Sequence, residues 1–491
     1  MGFGTIDIVI VGVYLVGITL AGAVISGRQK NSRDYFLGGK HLSWWSVGFS
    51  IVASETSTLT FISIPGLAYK CDMHFLQVAI GYFIGRLLVS VLFIPAYYAG
   101  DLETAYDFLG KRFGLSLRRF TSTVFIVTRV LASGVRLFAT AIPVHLITGL
   151  DYPSSILVIG LFTLVYTYIG GLKAVVAMDV VQLFIYLSGA VVSMCIILHR
   201  LPGGWSDVAA MAAAGGAAKF EIFNLNWGNG WYSFFCSPYT LLGGLVGGTF
   251  LTMASHGTDQ LLVQRLLGCE SKRDSQKALM LDASLIVLQF AFFLVLGLCL
   301  FAFYHGATVN QLGLHSSDEI FPKFIVESLP VGVAGILIAG VLASAMGSLS
   351  SSISSLASSM YLDIFKHSGD NRHIGERKEM YWSRAFTLLW GILLIGGAMI
   401  FIRATSSVIE LGLQIASITY GGLLGTFFLG LFFRRVKERD AFAGFIAGLL
   451  AIVAVFIYTN INFLWYAIIG SGVTLLVGNL SAHLMPRSRS I

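Results

Sequence analysis

Apolar stretches about twenty residues long recur along the whole chain, separated by short segments that carry most of the charge. Each is long enough to cross roughly 30 Å of hydrocarbon as a helix. The pattern predicts thirteen helical segments, numbered 0 to 12, at approximately 5–26, 44–69, 74–100, 118–149, 153–170, 174–200, 232–253, 276–304, 330–362, 380–402, 406–433, 441–459 and 463–485. Segment 0 exceeds a signal-peptide core, and no small-residue cleavage motif follows it, so it is expected to be retained.

Two segments break their own pattern. Segment 1 contains ASETSTLTFISIPG (53–66), where hydroxyl residues, Pro65 and Gly66 interrupt the apolar run. Segment 6 contains CSPYTLLGGLVGG (236–248), with Pro238 and two glycine pairs. The two are five segments apart, as an inverted repeat of five plus five helices requires. Matched interruptions of this kind point to a midplane binding site in a secondary transporter. The domain reading follows: 1–43 an extra helix and loop, 44–200 the first repeat, 201–231 an extracellular loop, 232–434 the second repeat, and 435–491 two further helices with a short tail.

Composition narrows the class. Hydrophobic residues make up 56% of the 491 and charged residues 12%, with a mean hydropathy of +0.80. So much apolar surface calls for an all-α integral membrane protein, with no soluble domain large enough for a separate activity. The net charge of +7 does not call for nucleic acid. With the N-terminus outside and the C-terminus cytoplasmic, 24 of the 32 Lys and Arg fall on cytoplasmic segments, Arg118 and Arg265 among them. That asymmetry follows the positive-inside rule. Arg86, Arg129 and Arg136 remain inside segments. The five cysteines lack metal-ligand spacing, although Cys71 and Cys236 are expected on the same side.

Segment 8 holds the most unusual stretch, ASAMGSLSSSISSLASS (343–359), nine of whose seventeen residues are serine. Small residues let helices approach closely, which accounts for Ser352, Ser354, Ser355, Ser358 and Ser359. Ser344, Ser348 and Ser351 belong to a stripe at helical spacing. Asp179, early in segment 5, supplies the carboxylate that such hydroxyls would accompany around a hard cation. Glu55 in segment 1 and Arg86 and Arg136 in segments 2 and 3 are either a structural ion pair or a dipole suited to a zwitterion. His145 and His256 read as interfacial. No Ser-His-Asp order, HExxH or Walker motif is present, so no enzyme is expected.

DYFLGGK (34–40), YTYIGGLKAVVAMDVVQ (166–182), DQLLVQR (259–265), the serine stretch ending in Asp363, and GLFFRRVKERDAFAGFIAG (430–448) together resemble the sodium:solute symporter family. Asp440 stands where that family usually has Gly, and Phe445 is bulky where a smaller residue is common. The resemblance implies a LeuT-type fold with Na⁺ between segments 1 and 8. The first site would use carbonyls of Ala53, Thr56, Ser344 and Gly347 and the Ser348 hydroxyl; many members carry Ser or Thr where this chain has Gly347. A second Na⁺ would take Asp179, Ser350 and Ser351. For substrate, an alignment with the proline branch places Glu55 and Ser57 at the pocket, with Thr60 beside them. Sialic acid members use a segment 3 arginine about one turn from Arg136. The sugar branch's amide pattern on segment 1 is absent.

The expectation is a Na⁺-coupled symporter, without other cofactors, importing a small polar organic solute by alternating access through a bacterial inner membrane. An amino acid or related organic acid is favoured. A sugar or monocarboxylate symporter, or a membrane solute sensor, is the alternative. Two Na⁺ moving through about 100 mV would supply ~4.6 kcal/mol, roughly a thousandfold in accumulation.

Overall fold

The structure, a computed structural model, describes residues 4–484 apart from 26, 28, 215–218, 227, 229, 367–374 and 404–407. The short tail after Leu484 lies outside the described residues. Those residues form helices and connecting turns without a strand. Among the described residues, nine helices are long and apolar enough to cross a membrane, and a bent pair makes a tenth.

Segments 4 and 5 form one helical run, Tyr152–Arg200, of 49 residues. At 1.5 Å per residue such a run is about 74 Å long, more than twice the hydrocarbon depth. It is interrupted at Gly171, where φ is 56° and ψ −155°, a region open essentially to glycine alone. A Cβ at this position would lie 2.4 Å from the Tyr35 carbonyl. The GGLK turn therefore folds where the DYFLGGK segment presses against it, and the Tyr35 hydroxyl donates to the Tyr168 carbonyl at 3.0 Å. Beside it, Lys40 and Arg33 donate to Asp101 at 2.5 and 2.7 Å. They hold its carboxyl below the usual range.

Segment 1 is two helices, Trp44–Glu55 and Thr58–Lys70, bent by 60°. The bend falls at Thr56 and Ser57, while Pro65 lies within the second helix. Segment 6 is also broken. Trp231–Cys236 is followed by a π-helical turn, Gly243–Gly247, that leads into Gly248–Gly257. Its glycines bring segment 2 close: a Cβ on Gly81 would meet the Gly244 carbonyl at 2.3 Å.

Segment 8, Val333–Ser359 with a π-helical extension Met360–Phe365, is buried along nearly all of its length. Its first turn leaves N–H groups that hydrocarbon cannot satisfy. Asp7 of segment 0 accepts them, from Gly332 at 2.8 Å and Gly335 at 2.7 Å.

Two arginines counted on cytoplasmic segments are buried within the protein. DQLLVQR folds as the helix Gln260–Leu267, all eight residues of which are buried, Arg265 completely. Arg118 is buried too, donating to Asp363 at 2.8 Å and Asp107 at 2.6 Å. Charge counting registers sign and position along the chain, and both arginines are drawn inward by carboxylates distant in sequence.

Replacing Gly171 by Ala is expected to destabilise the protein by about 1–3 kcal/mol from backbone strain alone, with the Tyr35 clash in addition. Thermal unfolding of the purified variant, read beside its size-exclusion profile, checks this.

Candidate cation and solute site

The bend in segment 1 frees backbone oxygens. The Ser57 N–H, which would close the next helical turn on Ala53, donates to the Glu55 carbonyl at 2.8 Å instead. Ala53 thereby keeps a carbonyl without its helical partner. The Thr56 hydroxyl turns back to the Val52 carbonyl at 2.7 Å and accepts from Gln289 at 2.5 Å.

Hydroxyls join this break to segment 8. Ser348 donates to the Ser54 carbonyl at 3.3 Å, and the Thr58 and Ser344 hydroxyls lie 3.0 Å apart. The Ser54 and Ser351 hydroxyls are also 3.0 Å apart. The five residues expected at the first Na⁺ site thus sit on the two facing elements that these bonds hold together.

Asp179 is fully buried. Its Oδ2 accepts from Ser50 at 2.5 Å, from Arg265 at 2.9 Å and from Ser54 at 3.4 Å. Arg265 also donates to the Ser351 and Ser50 hydroxyls, at 2.5 and 2.8 Å, and to the Leu261 carbonyl at 2.8 Å. Asp179 and Ser351 are therefore brought together, but around a guanidinium. The Ser350 hydroxyl donates to the Gly347 carbonyl at 3.0 Å, as Ser351 does at 2.6 Å. In this conformation the second expected Na⁺ set is bridged by a cation belonging to the chain itself.

The substrate candidates separate. Glu55 does not face Arg136: it is tied to Arg86 and lies 3.0 Å from His256 Nε2. Arg86 Nε is 3.1 Å from Asp282. His256 is fully buried in this cluster and not interfacial. Arg136 instead lines a cavity of about 20 Å³ with Ser57, Ser133, Thr140, Ser348 and Ser352. Such a volume holds about one water, so a larger solute requires the segments around it to open. Thr60 is half-buried in the second helix of segment 1 and is not in this lining. Of the three arginines inside segments, Arg86 and Arg129 are paired with carboxylates, Arg129 with Asp259. Arg136 has no ion pair among the described residues.

Sequence reasoning missed the partners of Asp179. Ser50 and Ser54 lie one turn apart on the face of segment 1 that carries the break, a spacing visible in the sequence. Arg265 stood in a quoted motif but was read as a loop charge.

Residues 35–448 match the profile of the sodium:solute symporter family. The sodium/sialic acid symporter NanT of Aliivibrio fischeri is 27% identical over 98% of this chain and 94% of its own length. The human sodium/iodide cotransporter is 29% identical over 86% of this chain and 64% of its own. A solved structure described as a substrate-bound, outward-open state of a Na⁺-coupled sialic acid symporter superposes with a TM-score of 0.88. It is 28% identical and covers 99% of both chains. The chain accordingly belongs to the sodium:solute symporter family, as a multi-pass membrane transporter coupled to Na⁺ and not an enzyme.

Proposed function

We propose that the protein imports a small organic anion against its gradient, with Arg136 holding the carboxylate. The observation that carries this is an intramembrane arginine without an ion pair among the described residues, set in the lining of a cavity between segments 1, 3 and 8. A charged group is retained at such depth where it faces a pathway or a partner. Ser57 at the break and Thr140 add hydroxyls to the same lining. The relatives are named for sialic acid and for iodide, both anions, which favours an organic acid over an amino acid zwitterion. Glu55, already engaged by Arg86 and His256, offers an ammonium less than Arg136 offers a carboxylate.

The thirteen segments cross with the N-terminus outside, and segments 1–5 and 6–10 are inverted repeats. The breaks in segments 1 and 6 support that assignment. The first Na⁺ is held by Ala53, Thr56, Ser344, Gly347 and Ser348. The second set, Asp179, Ser350 and Ser351, is regulated by Arg265. While its guanidinium bridges Asp179 and Ser351, a second cation meets like charge. Movement of Gln260–Leu267 would exchange the tethered charge for a mobile one, coupling occupancy to conformation.

The full-length protein in proteoliposomes tests the assignment. Labelled sialic acid, pyruvate and proline are offered with an inward Na⁺ gradient or with K⁺ in its place. An organic acid should accumulate above equilibrium in Na⁺ alone. Equal uptake in K⁺, or accumulation of proline only, would contradict the reading, and binding without flux would indicate a sensor. Arg136→Gln should raise KM for the transported acid by about tenfold or more, since a charged hydrogen bond contributes roughly 1.5–3 kcal/mol.

The Asp179–Arg265 pair makes a separate prediction. Removing one partner leaves a buried charge alone, which costs about 3–5 kcal/mol. Asp179→Asn and Arg265→Gln should each lower the melting temperature, and the double variant should recover most of the loss.

A further inference from the structure

We infer that the end of segment 5 carries a binding site for an anionic phospholipid, with the phosphate on Arg200 and an acyl chain in the groove beside it. The groove has a volume of about 440 Å³ and is separate from the cavity that Arg136 lines. Segment 5 supplies one wall with Val191, Val192, Cys195 and Ile196, and Pro330, which leads into segment 8, supplies the other. His199 and Arg200, the last two residues of the helix, complete the lining.

Depth makes the occupant a lipid. From Val191 to Arg200 the helix rises about 14 Å, roughly the hydrocarbon depth of one leaflet. Val191, Val192 and Cys195 are exposed, whereas Ser193 and Ile197 are buried. Trp205, exposed five residues beyond Arg200, is of the type that gathers at the membrane–water boundary. The groove therefore faces hydrocarbon along its apolar wall and headgroups at its Arg200 end.

Charge selects the kind of lipid. Neither His199 nor Arg200 has an ion pair among the described residues. The next acids along the chain from each wall are engaged elsewhere. Asp207 accepts from the Gly203 N–H at 2.7 Å, and Glu327 lies 2.7 Å from Lys323. The lining includes no carboxylate among the described residues, so a choline or ethanolamine headgroup finds no counter-charge for its ammonium. A guanidinium presents forked N–H donors that match a phosphate, and basic pockets between membrane helices hold anionic headgroups in this way. The helix C-terminus favours nearby cations, but that does not account for an apolar groove beside them. Nor does the positive-inside bias, since this end is the outer one in the orientation proposed above. A lipid held here bridges the end of segment 5 and the start of segment 8, the two segments whose Asp179 and Ser351 share Arg265.

Native mass spectrometry of the purified full-length protein tests this, after delipidation and titration with phosphatidylglycerol or phosphatidylcholine of the same acyl chains. The parent should hold phosphatidylglycerol about tenfold more tightly than phosphatidylcholine. Arg200→Gln should weaken phosphatidylglycerol binding by about tenfold, the loss expected for a charged hydrogen bond, and leave phosphatidylcholine unchanged. Val192→Trp should fill the groove and weaken phosphatidylglycerol binding comparably with the arginine intact. Lys70→Gln, exposed at the end of segment 1, should change neither. Equal binding of the two lipids by the parent, or undiminished phosphatidylglycerol binding in Arg200→Gln or Val192→Trp, would overturn the inference. So would a lipid-free dimer that Val192→Trp separates, because the groove would then belong to a second copy of the chain. Should Arg200→Gln not fold, the lipid preference of the parent and the Val192→Trp result decide.

Discussion

A carboxylate buried among membrane helices is too costly to leave unpartnered, and the partners of Asp179 fix where four elements meet. Ser50 and Ser54 come from segment 1, Ser351 from segment 8 through the shared guanidinium, and Arg265 from the short helix after segment 6. The bend at Thr56 and Ser57 lies two to three residues beyond Ser54. The geometry of the proposed cation site thus descends from one ion pair and the hydroxyls around it.

The same constraint explains the other buried charges. Arg86 joins Glu55 of segment 1 to Asp282 of segment 7, with His256 of segment 6 between the two carboxylates. Arg129 joins segment 3 to Asp259, which also accepts from Tyr420 at 2.9 Å. Asp363 at the end of segment 8 accepts from Arg118 and from Thr104, the latter at 2.5 Å. Lipid gives no hydrophobic drive for one helix to prefer another. Such pairs supply specificity, and each ties helices far apart in the chain. Arg136 stands outside this set, which is why it bears the functional argument.

Much of this was legible in the sequence. Hydrophobic runs marked the segments, since span length is a property of local composition. The hydroxyl-rich interruption of segment 1 marked the break, although Pro65 was the conspicuous breaker and stays helical. A membrane helix tolerates proline where neighbours satisfy the freed carbonyl. The choice of charge partner was not legible. Glu55 could face Arg86 or Arg136, and only packing puts it against Arg86 and His256. Arg265 followed a loop-like polar stretch, so its burial required knowledge of Asp179, 86 residues away.

The account places a cation where the break of segment 1 meets segment 8. Hydrogen–deuterium exchange of the full-length protein in NaCl and in KCl bears on this most directly. The account predicts slower amide exchange in Na⁺ concentrated at residues 53–58 and 344–351, with the peripheral segments 11 and 12 unaffected. Identical exchange in both salts across those two stretches would contradict it.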